Sequence, residues 1–200
     1  MSTKSLLKFK SNRFLVQNVW PIRTLTLKQK NISFKLKKKK LSNFGANFFA
    51  KRFLSILYGN LSSNQMKQAF KEAAKMRGKI DNNFLSFLEK RLDTIIFRMN
   101  LCRTFRQARQ LINHKKIYLN GKLINIPSYQ VKSGDIINIA PSINKNFLSI
   151  VQKSLDSLKD NSLCKTKALH LEINYKTLSA VFLYAPQQLI YPAEFSIPKL

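Results

Sequence analysis

No acidic side chain occurs before Glu72, and the 71 residues that precede it carry 16 Lys and Arg. That feature limits what this part of the chain can become. A surface helix usually neutralises itself with opposite charges three and four residues apart, and this stretch has nothing to alternate with. Its compact states are those in which an external polyanion takes up the charge. The excess continues at falling density: residues 1–82 have a net charge of +17, residues 83–140 of +7 and residues 141–200 of +3, for +27 in all. Nucleic acid and an anionic membrane face are the two partners such a balance admits. No stretch approaches the roughly 18 consecutive apolar residues of a membrane span. The expected partner is therefore nucleic acid, and no membrane is expected.

The chemistry-bearing residues are few. Cys102 and Cys164 are the two cysteines, His114 and His170 the two histidines. Structural zinc takes four ligands in closely spaced pairs, which these residues do not supply. No metal and no cofactor are expected, and the two thiols read as free cysteines of a reducing compartment. Lys, Asn, Ile and Phe together make up 78 of the 200 residues. All four use codons rich in A and T, as in organelle genomes and in AT-rich nuclear ones.

Residues 1–40 mix basic and apolar side chains without a sustained period and end in Lys37, Lys38, Lys39 and Lys40. Three readings stay open for this extension: an arm that orders on RNA, a cleavable mitochondrial presequence, or a solvated tail. From Leu41 the pattern turns helical. Phe48, Phe49, Arg52, Phe53, Ile56 and Leu57 recur at three- and four-residue steps, and Tyr58-Gly59 supplies a stop. A second helix is predicted from Asn64 to Met76, burying Met66, Ala69, Phe70 and Ala73, with Lys67, Lys71 and Lys75 on its other side.

Asp81, Asn82 and Asn83 are candidate caps for a third helix running to about residue 99, with Phe84, Leu85, Leu88, Leu92, Ile95, Ile96 and Met99 on one stripe. Thr104 followed by Gln107 matches a capping box and opens a helix to about Asn113, whose apolar side is Phe105, Ala108, Leu111 and Ile112. The period then changes to that of strands. Ile117 to Leu119, Asn120-Gly121 and Lys122 to Ile124 form a hairpin signal, because a type I′ turn needs positive φ at both central residues. Ser133-Gly134-Asp135 marks another turn before a strand from Ile136 to Ile139. An amphipathic helix is predicted over 142–160, and a terminal β-pair over 169–173 and 178–184.

The helix after Thr104 has a second use. Arg106 and Arg109 lie three residues apart, opposite the apolar side; Arg103 precedes the helix, and His114-Lys115-Lys116 follows it. Open amides at the helix start also suit phosphate. The expected result is a cationic ridge held down by its apolar back. Arginine grips phosphate bidentately, and A-form RNA is read largely through phosphate, shape and 2′-hydroxyls. Bland roles remain open for single residues: Asp93 as a structural ion-pair partner of Arg91 or Arg98, Arg109 as a core-edge brace, His114 as a helix-end packing residue, and Tyr129 packing between layers.

The run Arg91-Leu92-Asp93, Arg98-Met99, Thr104, Ala108-Arg109-Gln110-Leu111, His114-Lys115 and Asn120-Gly121 resembles the RNA-binding domain named after ribosomal protein four, the S-four domain. Ile126, Ser128-Tyr129-Gln130-Val131 and Asp135 continue it. Upstream, Leu41-Ser42, Phe44-Gly45, Lys51, Tyr58-Gly59, Lys71-Glu72-Ala73-Ala74 and Gly78 resemble the helical first domain of that ribosomal family. Downstream, His170-Leu171-Glu172, Asn174-Tyr175 and Ala180-Val181 resemble the terminal strands of its mitochondrial members. The resemblance covers residues 41–140 well and 168–192 more loosely. The chain departs from the family in having Phe105 after the capping Thr, where a basic residue is usual.

The resemblance implies an α+β fold. A basic extension (1–40) would precede a small helical domain (41–83) and an S-four domain of two helices plus a small β-sheet (84–140). A C-terminal helix and β-pair (141–200) would follow. It also implies a structural protein of the mitochondrial small ribosomal subunit and not an enzyme. Such a protein binds small-subunit rRNA early in assembly, organises a multi-helix junction of its 5′ domain, and lies beside ribosomal proteins three and five, near the path by which mRNA enters. Candidate RNA-binding residues are Arg103, Thr104, Arg106, Gln107, Arg109, Gln110, His114, Lys115, Lys116, Asn120 and Lys122, with Lys51 and Arg52 upstream and Lys37 to Lys40 in the extension. Two rivals are an RNA-modifying enzyme, which would need a catalytic Asp beside the S-four domain where only Asp156 and Asp160 lie downstream, and a free-standing RNA binder. Co-sedimentation with small subunits separates the last from the ribosomal reading.

Overall fold

The structure, a computed structural model, describes residues 42–102, 104–140 and 168–186, with the isolated positions 27 and 31. The rest of the extension, Arg103, the helix predicted over 142–160 and Cys164 lie outside the described residues. The fold is α+β, with five helices and one antiparallel sheet among the described residues. The chain forms two compact units that divide between Lys67 and Gln68.

The first unit holds α1 (Asn43–Leu57). Ser42 caps it by accepting a hydrogen bond from the Gly45 amide at 3.2 Å. Burial begins at Phe53 and runs through Tyr58. The upstream part of the expected stripe is corrected: Phe48 is 62% exposed and Phe49 half-buried. Gly59 and Asn60 turn the chain at positive φ (74° and 62°), and Leu61 folds back onto the helix. Its carbonyl accepts from Ser55 Oγ at 2.6 Å, so the buried hydroxyl is satisfied. Ser62 and Gln65 then form a reciprocal capping box that opens α2 (Ser63–Lys75).

In the second unit, the helix expected as one piece to residue 99 is two, α3 (Ile80–Glu89) and α4 (Leu92–Arg98). The stripe is buried as expected, with Phe84, Leu88, Leu92, Ile95, Ile96 and Met99 each at most 1% exposed. The helix breaks because segment 127–131 competes for its backbone groups. The Lys90 carbonyl accepts from Val131, while the Leu92 and Asp93 amides donate to the carbonyls of Tyr129 and Pro127 at 2.9 and 3.1 Å. Arg91, extended at ψ 135°, bridges Gln130 between them. Two of the open amides at the start of α4 are thus satisfied without a capping side chain. The expected caps are corrected as well. Asn83 lies inside α3, and its side-chain amide donates backwards to the carbonyls of Ala73, Met76 and Arg77 at the end of α2.

After α4 come α5 (Phe105–Asn113), β1 (Ile117–Leu119), β2 (Lys122–Leu123) and β3 (Ile136–Ile139). Asn120 and Gly121 turn β1 into β2 at φ 49° and 78°, as a type I′ turn demands. The terminal strands β4 (Leu171–Asn174) and β5 (Ser179–Phe182) pair with each other, and β5 also pairs with β3, matching Ile136 to Val181 and Ile137 to Ala180. The sheet order is therefore β2-β1-β3-β5-β4. One face carries Ile117, Leu119, Ile137, Ile139, Leu171, Ala180 and Phe182 into a core shared with Leu92, Ile95, Ile96 and Met99 of α4 and Ala108 and Ile112 of α5. Alternation along β3, with Ile136 and Asn138 exposed, is that of an antiparallel sheet packed on one side.

Candidate nucleic-acid interface

Helix α5 is held at both ends and along its back. Thr104 Oγ1 accepts from the Gln107 amide at 3.2 Å, a cap worth about 1 kcal/mol. Phe105, in the position where a basic residue is usual, is buried and stacks on Phe97 with ring centroids 4.1 Å apart. Ala108 and Ile112 are fully buried. At the far end the Lys116 amide donates to Leu111, and the Lys116 carbonyl accepts from Ala140, leading the chain into the sheet.

What remains outward is a stripe at four- and three-residue spacing: Arg106, Gln110 and Asn113, continued by His114 and Lys115. Asn113 is not among the sequence candidates, although helical spacing alone places it on this face. Lys115 sits at φ 55°, which turns the backbone sharply as it leaves the helix. Arg106 is exposed and makes no ion pair among the described residues. Exposed cations of this kind can take up phosphate with little internal bonding given up, and the counterions they shed favour binding.

The expectation of a shared Arg106–Arg109 ridge is corrected. Arg109 Nε lies 2.8 Å from Asp93 Oδ2, and its side chain is only 26% exposed. Asp93 is fully buried and also takes Arg91 through both oxygens, Nε to Oδ1 and Nη2 to Oδ2, each at 3.0 Å. Arg98 goes elsewhere, gripping the fully buried Glu89 at 2.7 and 3.2 Å. Removing one partner from such a buried pair typically costs about 3–5 kcal/mol, because the other charge is left unpaired. These pairs fasten α5, α4 and α3 to one another.

The hairpin tip is also engaged internally. Asn120 Nδ2 donates to Asp135 Oδ1 at 2.8 Å and its Oδ1 accepts from the Ile136 amide at 2.9 Å, tying the β1–β2 turn to the Gly134–Asp135 turn. Asn120 is exposed, and its side chain is engaged in that tie. Lys122 is exposed beside it, as is Lys132, which the sequence candidates omit. Thr104, Gln107 and Lys116 are half-buried. Tyr129, 39% exposed, gives segment 127–131 its carbonyl link to α4 and leaves part of its ring outside. In the first unit Arg52 is exposed and Lys51 half-buried. Arg103 and Lys37 to Lys40 are outside the described residues.

Cys102 is buried, which pushes its thiol up to about 12 and keeps it unreactive. No group of three metal-ligating side chains occurs among the described residues.

Comparison with known proteins agrees with this arrangement. Residues 90–137, from the break before α4 to the middle of β3, match the S4 domain family. The chain is 42% identical to the small ribosomal subunit protein uS4m of Marchantia polymorpha, over 96% of this chain and 97% of that protein. It is 31% identical to the small ribosomal subunit protein uS4 of Caulobacter vibrioides (97% and 94% covered), and 32% identical to that of Paramagnetospirillum magneticum (94% and 90%). Similarity of this extent, continuous across both compact units and across the S4 domain that carries the outward face of α5, makes the chain a member of the small ribosomal subunit protein uS4 family.

Proposed function

We propose that the protein is a structural constituent of the mitochondrial small ribosomal subunit, binds small-subunit rRNA, and performs no catalytic step. The observation that carries this reading is the end-to-end similarity to uS4m, with nearly all of both chains aligned. The physical reading points the same way. A net charge of +27 requires a polyanionic partner, and α5 offers exposed groups suited to phosphate on a helix whose back is fixed. The contacts run along Thr104, Arg106, Gln107, Gln110 and His114 to Lys116, with Lys122 beside them. Lys51 and Arg52 add contacts upstream, as does Arg103 before the helix, and Lys37 to Lys40 belong to an arm laid on RNA.

In this reading the protein joins early and gathers several rRNA helices of the 5′ domain at one junction. Its work is electrostatic and geometric: phosphates that would repel one another as the helices converge are neutralised, and the angle between the helices is fixed. Ribosomal proteins three and five are its neighbours, and mRNA passes nearby. The test is sedimentation of the endogenous protein from lysed mitochondria, followed by ultraviolet cross-linking. It is expected in the small-subunit peak, with cross-linked peptides covering residues 104–122. Recovery in light fractions free of small-subunit rRNA would overturn the proposal.

A further inference from the structure

We propose that Arg109 is a positioning residue of the RNA-binding face: through Asp93 it sets the rotation of α5, and it supplies no phosphate contact of its own. The inference rests on reading α5 as that face.

Three observations lead there. The Arg109 guanidinium is engaged by a carboxylate with no solvent exposure, at 2.8 Å through Nε. With Nε bound there and the side chain only 26% exposed, the guanidinium cannot turn its full fork to a phosphate without leaving Asp93 to Arg91 alone. Second, the pair lies where rotation matters. Arg106 is one turn earlier and offset by about 60° around the helix axis, so a small roll of α5 moves its guanidinium through a wide arc. The Thr104 cap and the Phe97–Phe105 stack pin the start of the helix, and the Arg109–Asp93 pair is a polar fastening of its middle. Third, Asp93 is itself immobile. Arg91 holds both its oxygens, and its amide donates to Pro127. The clamp therefore refers α5 to α4 and to segment 127–131, not to a flexible surface group.

The test uses the counterion slope, which counts phosphates. The full-length protein and three variants are titrated with a 5′-domain fragment of small-subunit rRNA across a range of salt, and each is melted thermally. Arg106→Ala should flatten the log–log slope by about 0.7–0.9, the share of a single neutralised phosphate. Arg109→Met, which keeps the apolar stem and leaves the Arg91–Asp93 pair intact, should keep the parent slope. Its affinity should fall about tenfold at every salt, within the range for coupled neighbours. Asp93→Asn gives the sign test: it makes the protein more positive by one charge yet should weaken binding. If Asp93→Asn fails to fold, Arg109→Met decides alone. A slope drop in Arg109→Met equal to that of Arg106→Ala would make Arg109 a direct phosphate ligand and overturn the inference. So would unchanged affinity with an early melt, since the clamp would then brace the fold only, and so would tighter binding by a folded Asp93→Asn. An unchanged curve for Arg106→Ala is a different failure: it removes α5 from the RNA interface, and the inference goes with it.

Discussion

His170 shows how a single buried side chain couples this fold to its solution conditions. It is 3% exposed, with Nε2 unpartnered among the described residues and its ring edge-on to Phe182 and Tyr184 at 5.8 and 6.5 Å. Burial lowers its pKa from 6.5; the Glu89 carboxylate opposes that shift and Arg98 adds to it. The folded state therefore prefers the neutral ring, while the unfolded chain takes up a proton near the ordinary value. Stability from this group is complete above about pH 6.5 and is lost as pH falls below it. Thermal melts should shift downward from pH 7 to pH 5, and His170→Phe should lose that component of the shift. An identical pH dependence in the variant would acquit the histidine. The residue scale is also where sequence and structure part most visibly. Arg106 and Arg109 are equivalent in helical spacing, yet one is outward and the other is bound to Asp93, sixteen residues away. The stripe could not separate them, because the choice depends on where a buried carboxylate sits.

Among the elements, the local rules worked where both halves of an interaction lie within one turn. The Thr104 cap, the four-residue spacing on α5 and the positive φ at Asn120 and Gly121 are contained in runs of three to eight residues, and each was legible. The long helix expected to residue 99 was not so contained. Its apolar stripe crosses Lys90 and Arg91 unbroken, but carbonyls and amides from segment 127–131 capture the backbone there. Asn83 teaches the same lesson in reverse, since a good N-cap residue is taken by the carbonyls of the preceding helix. Asn83→Ala should strip a shared donor from three carbonyls and lower unfolding stability by about 1 kcal/mol, measured by denaturant titration. Asn82→Ala, one residue earlier, serves as control and should change stability by less than about 0.5 kcal/mol.

At the scale of the whole molecule, the terminal strands are part of the core of the second unit and not an appendage to it. Phe182 is fully buried, its amide donates to the Asp135 carbonyl, and its own carbonyl accepts from Gly134 at 2.7 Å. Phe182→Ala should cost about 3–5 kcal/mol and lower the melting temperature of the unit that carries α5. A melt indistinguishable from the parent's would mean that β5 closes nothing. The uneven charge, the apolar stripe from Phe84 to Met99, the type I′ hairpin and the helix that bears Arg106 were all determined by sequence alone. Each depends on composition, or on neighbours within a few positions whose geometry the covalent chain nearly dictates. Tertiary structure alone decided the break between α3 and α4, the arginine that faces outward, and the joining of β5 to β3. In each case a buried backbone group or a buried charge must find a partner, and the available partners come from distant segments brought together only when the core closes.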